Sequence, residues 1–283
     1  MVAVKTTDDK FCMLAKDFAD KKAEYPCYVE PKYDGVRVIA KVNKKKKTVD
    51  FFFRSGKPVH TLEHLTDEIL KIDSKQNEFT LDGEVVSHQG FMKCVGDVRR
   101  KFIDPLQKLP TLFYMIFDLI YDEDKRSYLT RKQELVDLLE PTTLECITFI
   151  KCTDHVEVLV LKHLWETRDS NIEGVMVKKD TLYQNKRTWD WMKIKDELSV
   201  DFPIVDLFEG QGKYKDMLGG VIVKNPTTNV EIRVGGGYND AERKHIWENQ
   251  KDYIGKTAEV KYQYMTPKGS LRHPIYKGIR IDK

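Results

Sequence analysis

The segment Glu-Pro-Lys-Tyr-Asp-Gly-Val-Arg, residues 30–37, combines side chains that could do covalent chemistry. Lys32 supplies an amine, and Asp34 and Arg37 follow it closely. Near pH 7 only about one ordinary lysine in a thousand is neutral, so a nucleophilic lysine needs cationic or metal neighbours. Gly35 also tolerates backbone angles that other residues avoid. The segment is therefore either a solvated turn or a loop that positions a nucleophilic lysine, and other parts of the sequence are needed to distinguish the two.

Four further polar side chains lie in segments with the pattern of β-strands. They are Glu84 in LDGEVV, Glu173 in NIEGVMVKK, and Lys193 and Lys195 in WMKIK. Lys193 and Lys195 are two residues apart, so both face the same side of a strand. Carboxylates hold divalent metals, and lysines neutralise the oxygens of a phosphoryl group in transfer. Together with Lys32 they indicate phosphoryl chemistry, and the missing G-x-x-x-x-G-K-S/T pattern excludes a P-loop.

Residues 1–196 alternate strand and helix patterns, which predicts a mixed α+β domain. Apolar residues at helical spacing over Leu62–Ile72 predict one helix. A capping box of Thr130 and Gln133 predicts the start of a second, and Asp154 begins a third. The predicted strands are VRVIAKV, VDFFFR, FTLDGEVV, TLFYMIFDLI, EGVMVKK and WMKIK.

From about residue 198, short strands are separated by Gly, Pro and Asn turns. A helix over about 239–249 interrupts them. Five strands and one helix predict a small β-barrel of the oligonucleotide-binding (OB) kind. We therefore predict two domains, residues 1–197 and residues 198–283. The predicted strands of the second are VDFPIVDLFEG, LGGVIVKN, VEIRVG, TAEVKYQYM and YKGIRI.

The composition of the 283 residues restricts the class of protein. The five cysteines form neither a C-x-x-C pair nor a cluster with histidines, which predicts reduced thiols and no structural zinc. No apolar run approaches the roughly 20 residues of a membrane helix, and the charged N-terminal segment predicts no signal peptide. The net charge of +3 does not by itself indicate a nucleic-acid partner, so such a partner would have to bind local basic patches.

The order of these motifs resembles that of the covalent nucleotidyltransferases. It runs K-x-D-G, an arginine segment, D-G-E, an aromatic F-D strand, E-G-V-M-V-K, K-x-K and R-x-D-K, over residues 28–283. Within that superfamily the chain is similar to the ATP-dependent DNA ligases of the compact bacteriophage and viral type. The resemblance implies an adenylation domain followed by an OB-fold domain. It also implies sealing of nicks through lysyl-AMP and DNA-adenylate, in DNA replication, repair and recombination.

The resemblance further implies ATP and Mg²⁺ as cofactors, with Mn²⁺ able to substitute, and a role for each matching residue. Lys32 would attack the α-phosphate of ATP and carry AMP, while Asp34 would lie near the metal or the reacting ends. Glu84 and Glu173 would bind the metal. Glu30 would contact the adenine edge, and Phe117 would stack on adenine. The ribose or phosphates would be contacted by Arg37, Arg54 and Glu84, and the α-phosphate by Lys193 and Lys195. The pyrophosphate would be contacted by Arg280, Asp282 and Lys283.

The partner implied by the resemblance is nicked duplex DNA, bound by a cytoplasmic monomer that closes around the nick in a bacterial or phage-infected cell. The run Lys44–Lys47 is equally consistent with a solvated hairpin turn and with a phosphate contact. The candidate DNA contacts are Arg54, Lys93, Arg99, Arg100, Lys101, Lys213 and Lys215.

Two other classes stay open from the residues alone. An RNA ligase or an mRNA-capping guanylyltransferase would share Lys32, Glu84, Glu173 and the K-x-K pair. A comparison of ATP with GTP, followed by a comparison of nicked DNA with RNA, would separate these classes. A non-catalytic nucleic-acid-binding module on the same fold is disfavoured, because each prospective catalytic position is retained.

Overall fold

The computed structural model describes residues 10–100 and 111–280 of the chain. Asp282, Lys283 and Lys101 therefore lie outside the described residues. The chain divides into two compact units, Met1–Lys195 and Asp196–Lys283. Among the helices of the described ranges, none combines the length and the apolar character needed to cross a membrane.

The described part of the first unit contains two five-stranded sheets and four α-helices. Sheet A has the strand order β1-β10-β9-β2-β8, and sheet B has the order β4-β3-β5-β6-β7. The helices are α1 (Thr66–Leu70), α2 (Phe91–Val98), α3 (Tyr128–Leu139) and α4 (His155–Arg168). The strands are β1 (Leu14–Asp17), β2 (Cys27–Tyr33), β3 (Val36–Asn43), β4 (Thr48–Phe53), β5 (Glu78–Ser87), β6 (Leu112–Ile120), β7 (Glu145–Cys146), β8 (Ile150–Cys152), β9 (Ile172–Lys178) and β10 (Arg187–Lys195).

Sheet A has two chemically different faces, because successive side chains of a strand point to opposite sides. On one face Val29, Val175, Val177 and Met192 pack with Val158 of α4 into an apolar core. The opposite face carries the polar residues of the same strands. This alternation is why β2 can bury a core and still present reactive side chains.

Sheet B builds the larger core of the unit. Val38 of β3 and Ile116 of β6 are fully buried, and Leu135 of α3 packs into the same cluster. The sheet carries Glu84 on β5 and Phe117 on β6. The run Lys44–Lys47 forms the turn between β3 and β4, as the hairpin interpretation predicts.

The helix starts agree with the sequence in one case and differ in another. Asp154 caps α4 by accepting a hydrogen bond from the main-chain nitrogen of Glu157, as predicted. Helix α3 begins at Tyr128, so Thr130 lies inside the helix, and the predicted capping box of Thr130 and Gln133 is wrong. A capping pattern inside a helix is indistinguishable in sequence from one at its start.

The second unit contains the predicted five strands and one helix among its described residues. They form one sheet with the order β13-β12-β11-β14-β15. A single parallel bridge between Gly236 and Ile275 joins the chain after β13 to the β15 edge. The elements are β11 (Leu198–Glu209), β12 (Leu218–Lys224), β13 (Glu231–Val234), α5 (Asp240–Glu248), β14 (Thr257–Tyr262) and β15 (Ile275–Ile279). The predicted α+β fold class, with an OB-like second part, is confirmed.

Candidate active site

Three neighbouring strands of sheet A bring the predicted reactive residues together in aligned rows. Each row takes one residue from β2, one from β9 and one from β10. Residues that pair across strands point to the same side, so the rows form one surface, here called the site face. It lies opposite the apolar core of sheet A. The rows are Lys32, Gly174 and Lys195; Glu30, Met176 and Lys193; and Tyr28, Lys178 and Trp191.

Lys32, the predicted nucleophile, forms an ion pair with Glu173, which precedes Gly174 on β9. Both side chains are largely buried. The contact is with a carboxylate and not with the cationic neighbours expected from the sequence. The amine therefore has to leave Glu173 before it can attack an electrophile. Lys193 lies 3.2 Å from a carboxylate oxygen of Asp17 on β1.

Two glycines allow the main chain to come close to the reactive row. A Cβ at Gly174 would lie 2.1 Å from the carbonyl oxygen of Ile194, so only glycine lets β9 and β10 approach here. A Cβ at Gly35 would lie 2.2 Å from the carbonyl oxygen of Val85 and 2.9 Å from Cγ of Glu84. The glycine in K-x-D-G thus serves close packing against β5 beside Glu84.

We expect Gly35→Ala to lower the free energy of unfolding by about 1–3 kcal/mol, because the added methyl group overlaps main-chain atoms that cannot move freely. It should also slow any reaction that uses Glu84. Gly96→Ala in α2 is the matched control, because a Cβ there would have no neighbour within 4 Å. That variant should be neutral or more stable by up to about 1 kcal/mol. Urea unfolding of the two variants checks this, and equal stabilities would contradict it.

Glu84 of β5 faces the site from sheet B, paired across the strands with Arg37 of β3. Burial raises the pKa of Glu84 to about 7; the charges of Lys32 and Arg37 oppose this shift, and that of Glu173 adds to it. The Arg37 guanidinium bonds Asp82 with two nitrogens, at 2.9 and 2.6 Å. Arg37 thus holds β3 and β5 together, and part of its hydrogen-bonding capacity is already used.

The raised pKa of Glu84 predicts a pH-dependent stability of the metal-free chain. The unfolded carboxyl loses its proton near pH 4.5 and the folded one near pH 7, so stability falls as the pH rises through this window. At pH 8 Glu84→Gln should therefore be more stable than the parent chain by about 1–3 kcal/mol, and at pH 4 the two should be equal. Urea unfolding without divalent metal measures this. Glu78→Gln, at an exposed position on β5, is the control for the substitution itself, and a destabilised Glu84→Gln at pH 8 would contradict the prediction.

Glu84 and Glu173 are the carboxylates available for a metal ion. The described ranges contain no group of three or more His, Cys, Asp or Glu side chains placed to hold one. Mg²⁺ needs only one or two carboxylates when substrate phosphates complete its shell. Burial is the main cause of the raised pKa of Glu84 and the charge of Glu173 adds to it, and a cation bound between the two carboxylates would oppose both effects. The pair therefore fits Mg²⁺ held jointly with a phosphorylated substrate.

The third row of the site face is covered by aromatic and charged side chains. The ring of Phe117 lies 6.0 Å from that of Trp191 in an edge-on arrangement. Lys178 Nζ lies 4.8 Å from the centre of the Phe117 ring and 2.5 Å from a carboxylate oxygen of Glu30. Glu30 and Lys178 are almost fully buried, and Lys132 of α3 joins them. Phe117 and Met176 remain partly exposed.

The predicted DNA contacts are distributed over the surface. Lys93 and Arg100 both contact the buried carboxylate of Asp97, at 2.6 and 2.9 Å. Arg54 and Arg99 are exposed, as are Lys213 and Lys215 in the second unit. Lys93 and Arg100 thus belong to one ion-paired cluster around Asp97 and are not independent charges.

Two of the remaining predicted residues lie in turns or strand ends. The main-chain nitrogen of Asp34 donates to the carbonyl of Asn171, which fixes the turn between β2 and β3. Arg280 pairs with Asp201 and Glu259 within the second unit, at 3.3 and 3.5 Å.

Sequence reasoning missed several residues of this site. Asp82 stands in the quoted D-G-E motif, and Met176 and Lys178 alternate with Gly174, so the strand period could have found all three. Tyr128 and Lys132 carry no such signal, because they sit in a helix whose lysine is indistinguishable from a solvated one.

The chain is similar to known proteins over both units. The family described as ATP dependent DNA ligase domain matches residues 12–195, and the family described as DNA ligase OB-like domain matches residues 209–280. A DNA ligase of Sulfolobus acidocaldarius is 28% identical over 77% of this chain and 40% of its own length. The DNA ligase of Enterobacteria phage T4 is 22% identical over 96% of this chain and 68% of its own length.

Solved structures extend the likeness to the fold. The structure of Pmar-Lig_PreS3 superposes with a TM-score of 0.81 at 27% identity, covering 96% of this chain and 68% of that one. The chain thus spans about two fifths of the archaeal relative and about two thirds of the other two proteins.

Proposed function

This chain belongs to the ATP-dependent DNA ligase family, and we propose that it seals nicks in duplex DNA with ATP as the energy source. The observation that carries the proposal is the row of Lys32, Gly174 and Lys195. It sets a reactive amine and a second lysine on either side of a glycine, where one phosphoryl group could contact both.

In the first step, Lys32 Nζ releases Glu173, transfers a proton to solvent water and attacks the α-phosphorus of ATP. A P–N bond forms, and the bond to the pyrophosphate oxygen breaks. Lys195 and Lys193 neutralise the oxygens of the α-phosphate as charge develops on them. Mg²⁺, or Mn²⁺ in its place, would be held by Glu84 and Glu173 and supplies further positive charge to the phosphates.

The adenine base binds beside the third row of the site face, where Glu30 and Phe117 lie. Glu30 reads the edge of adenine, and Phe117 stacks on its ring. Arg37 and Arg54 contact the ribose or phosphates, with Glu84 at the ribose. Asp34 acts near the metal or the reacting ends, and Arg280, with Asp282 and Lys283, orients the pyrophosphate.

In the later steps AMP passes from Lys32 to the 5′-phosphate of the nick, and the 3′-hydroxyl then displaces it. DNA binds through phosphate contacts from Arg54, Lys93, Arg99 and Arg100, and from Lys213 and Lys215 of the second unit. Such contacts are independent of sequence, so binding weakens steeply with salt. The chain acts as a cytoplasmic monomer of two domains, residues 1–197 and residues 198–283, that closes around the nick.

The test measures two selectivities, for ATP over GTP and for nicked DNA over nicked RNA. Incubation with ATP and Mg²⁺ should increase the intact mass by one AMP, and GTP should give no adduct. The enzyme that carries AMP should then join a nicked DNA duplex and leave a nicked RNA duplex unjoined. A GMP adduct, or joining of RNA alone, would reject the proposal in favour of a capping enzyme or an RNA ligase, neither of which the family match favours.

A further inference from the structure

The carboxylate of Glu30 is held from two sides by a buried hydroxyl and two buried ammonium groups. Tyr128 Oη of α3 donates to Glu30 Oε1 at 2.6 Å, and Lys132 Nζ of the same helix lies 2.6 Å from that oxygen. Lys178 Nζ of β9 lies 2.5 Å from Oε2. The four side chains are at most 2% exposed. The orientation of this carboxylate is therefore fixed by the protein and not by solvent.

Lys132 connects this carboxylate to the strand that carries Phe117. Its ammonium has three N–H donors. Two of them reach the main-chain carbonyls of Phe117 at 2.5 Å and Ile147 at 2.7 Å, and the ammonium also forms an ion pair with Glu30 at 2.6 Å. The ammonium is almost fully buried, and its contacts with Glu30, Phe117 and Ile147 lie within the protein. Lys132 can act on a bound base only through Glu30 and Phe117.

The charges in this cluster keep Glu30 an acceptor. Burial alone would raise the pKa of Glu30, but Lys132 and Lys178 outweigh it, and the pKa lies below its usual value. An ionised carboxylate accepts hydrogen bonds and donates none. Adenine presents an amino donor at the position where guanine presents a carbonyl acceptor. A fixed, ionised Glu30 therefore attracts the edge of adenine and repels that of guanine.

We propose that Lys132, assisted by Tyr128, is a positioning residue that sets the nucleobase specificity of the enzyme by fixing the Glu30 carboxylate relative to the Phe117 main chain. The inference rests on the proposed function, in which Glu30 reads the base and Phe117 stacks on it. Without Lys132 the carboxylate is held by Lys178 and a single hydroxyl, and its distance from the stacking strand is no longer fixed.

The test compares ATP with GTP in the formation of nucleotidyl-lysine, measured by intact mass over time. Lys132→Met should lower the ratio of kcat/KM for ATP to that for GTP by at least about tenfold, mainly through a higher KM for ATP. Tyr128→Phe removes only the hydroxyl donor and preserves the ring, so it should fold like the parent chain. It should lower the ratio by about threefold.

Arg131→Met is the matched control. Arg131 is fully buried in the same helix, but it bonds Asp118 at 2.8 and 3.0 Å. This variant should lose stability and keep the same ratio as the parent chain. An unchanged ratio in Lys132→Met and Tyr128→Phe, or an equal fall in Arg131→Met, would overturn the inference. Absence of any AMP adduct on the parent chain would instead overturn the proposed function, and this inference with it.

Discussion

Lys32→Ala is expected to form no AMP adduct and to seal nicks at least about 10⁴-fold more slowly than the parent chain. The reason is that no other amine occupies its place in the row with Gly174 and Lys195. The reaction proceeds through the lysyl-AMP intermediate, so tighter binding of ATP or DNA by other residues cannot compensate for the loss of the Lys32 amine. Intact mass after incubation with ATP and Mg²⁺ measures the adduct, and a ligation assay on nicked DNA measures the joining.

A matched variant separates this effect from a loss of positive charge. Lys151→Ala removes an exposed lysine from β8 of the same sheet, and it should form the adduct and seal nicks like the parent chain. Joining at the parent rate by Lys32→Ala would refute the assignment of the nucleophile. Circular dichroism should show both variants folded, because the Lys32 side chain contributes little apolar packing.

Glu30→Ala is expected to reduce the free energy of unfolding by about 3–5 kcal/mol, the typical effect of leaving a buried charge without its partner. Here two ammonium groups, on Lys132 and Lys178, share the one carboxylate, and both are nearly inaccessible to water. Urea unfolding at neutral pH measures the loss. Adding Lys132→Met should restore part of the stability, because it removes one of the two uncompensated charges.

The control for this variant is an ion pair between the segments just before β2 and just after β9. Glu24→Ala breaks the contact of Glu24 with Lys179, 2.6 Å long, in which the carboxylate side is 74% exposed. Its loss should change the stability by no more than about 1 kcal/mol. If Glu30→Ala were no more destabilising than Glu24→Ala, the buried cluster would not contribute to folding as described.

The strands were predictable because their signals are local. Alternation and β-branched residues predict β5 around Glu84 and β9 after Glu173, and the structure has both strands. The fixed two-residue spacing also put Lys193 and Lys195 on one side of β10. The short strands β1, β7 and β8 carry too few residues for a periodic signal, and the sequence analysis missed them.

The arrangement of the site was less predictable, because it depends on pairing between distant segments. No property of Lys132 in the sequence indicates that it is buried, since a helical lysine is usually solvated. Its burial follows from the packing of α3 against β6 of sheet B, which brings Lys132 to Glu30 of β2. The ion pair of Lys32 with Glu173 was unexpected for the same reason, because residues 141 positions apart in the chain come together only through the pairing of β2 with β9.

The aligned rows of the site face make the site sensitive to insertions and deletions within its strands. Deleting one residue between Glu30 and Lys32 would preserve every residue type of the motif but turn one of these side chains towards the apolar core. Substitution of the intervening Pro31, by contrast, does not change which side chains of β2 point to the site face. The number of residues in β2, β9 and β10 is therefore constrained more tightly than the type of residue at positions that point away from the site.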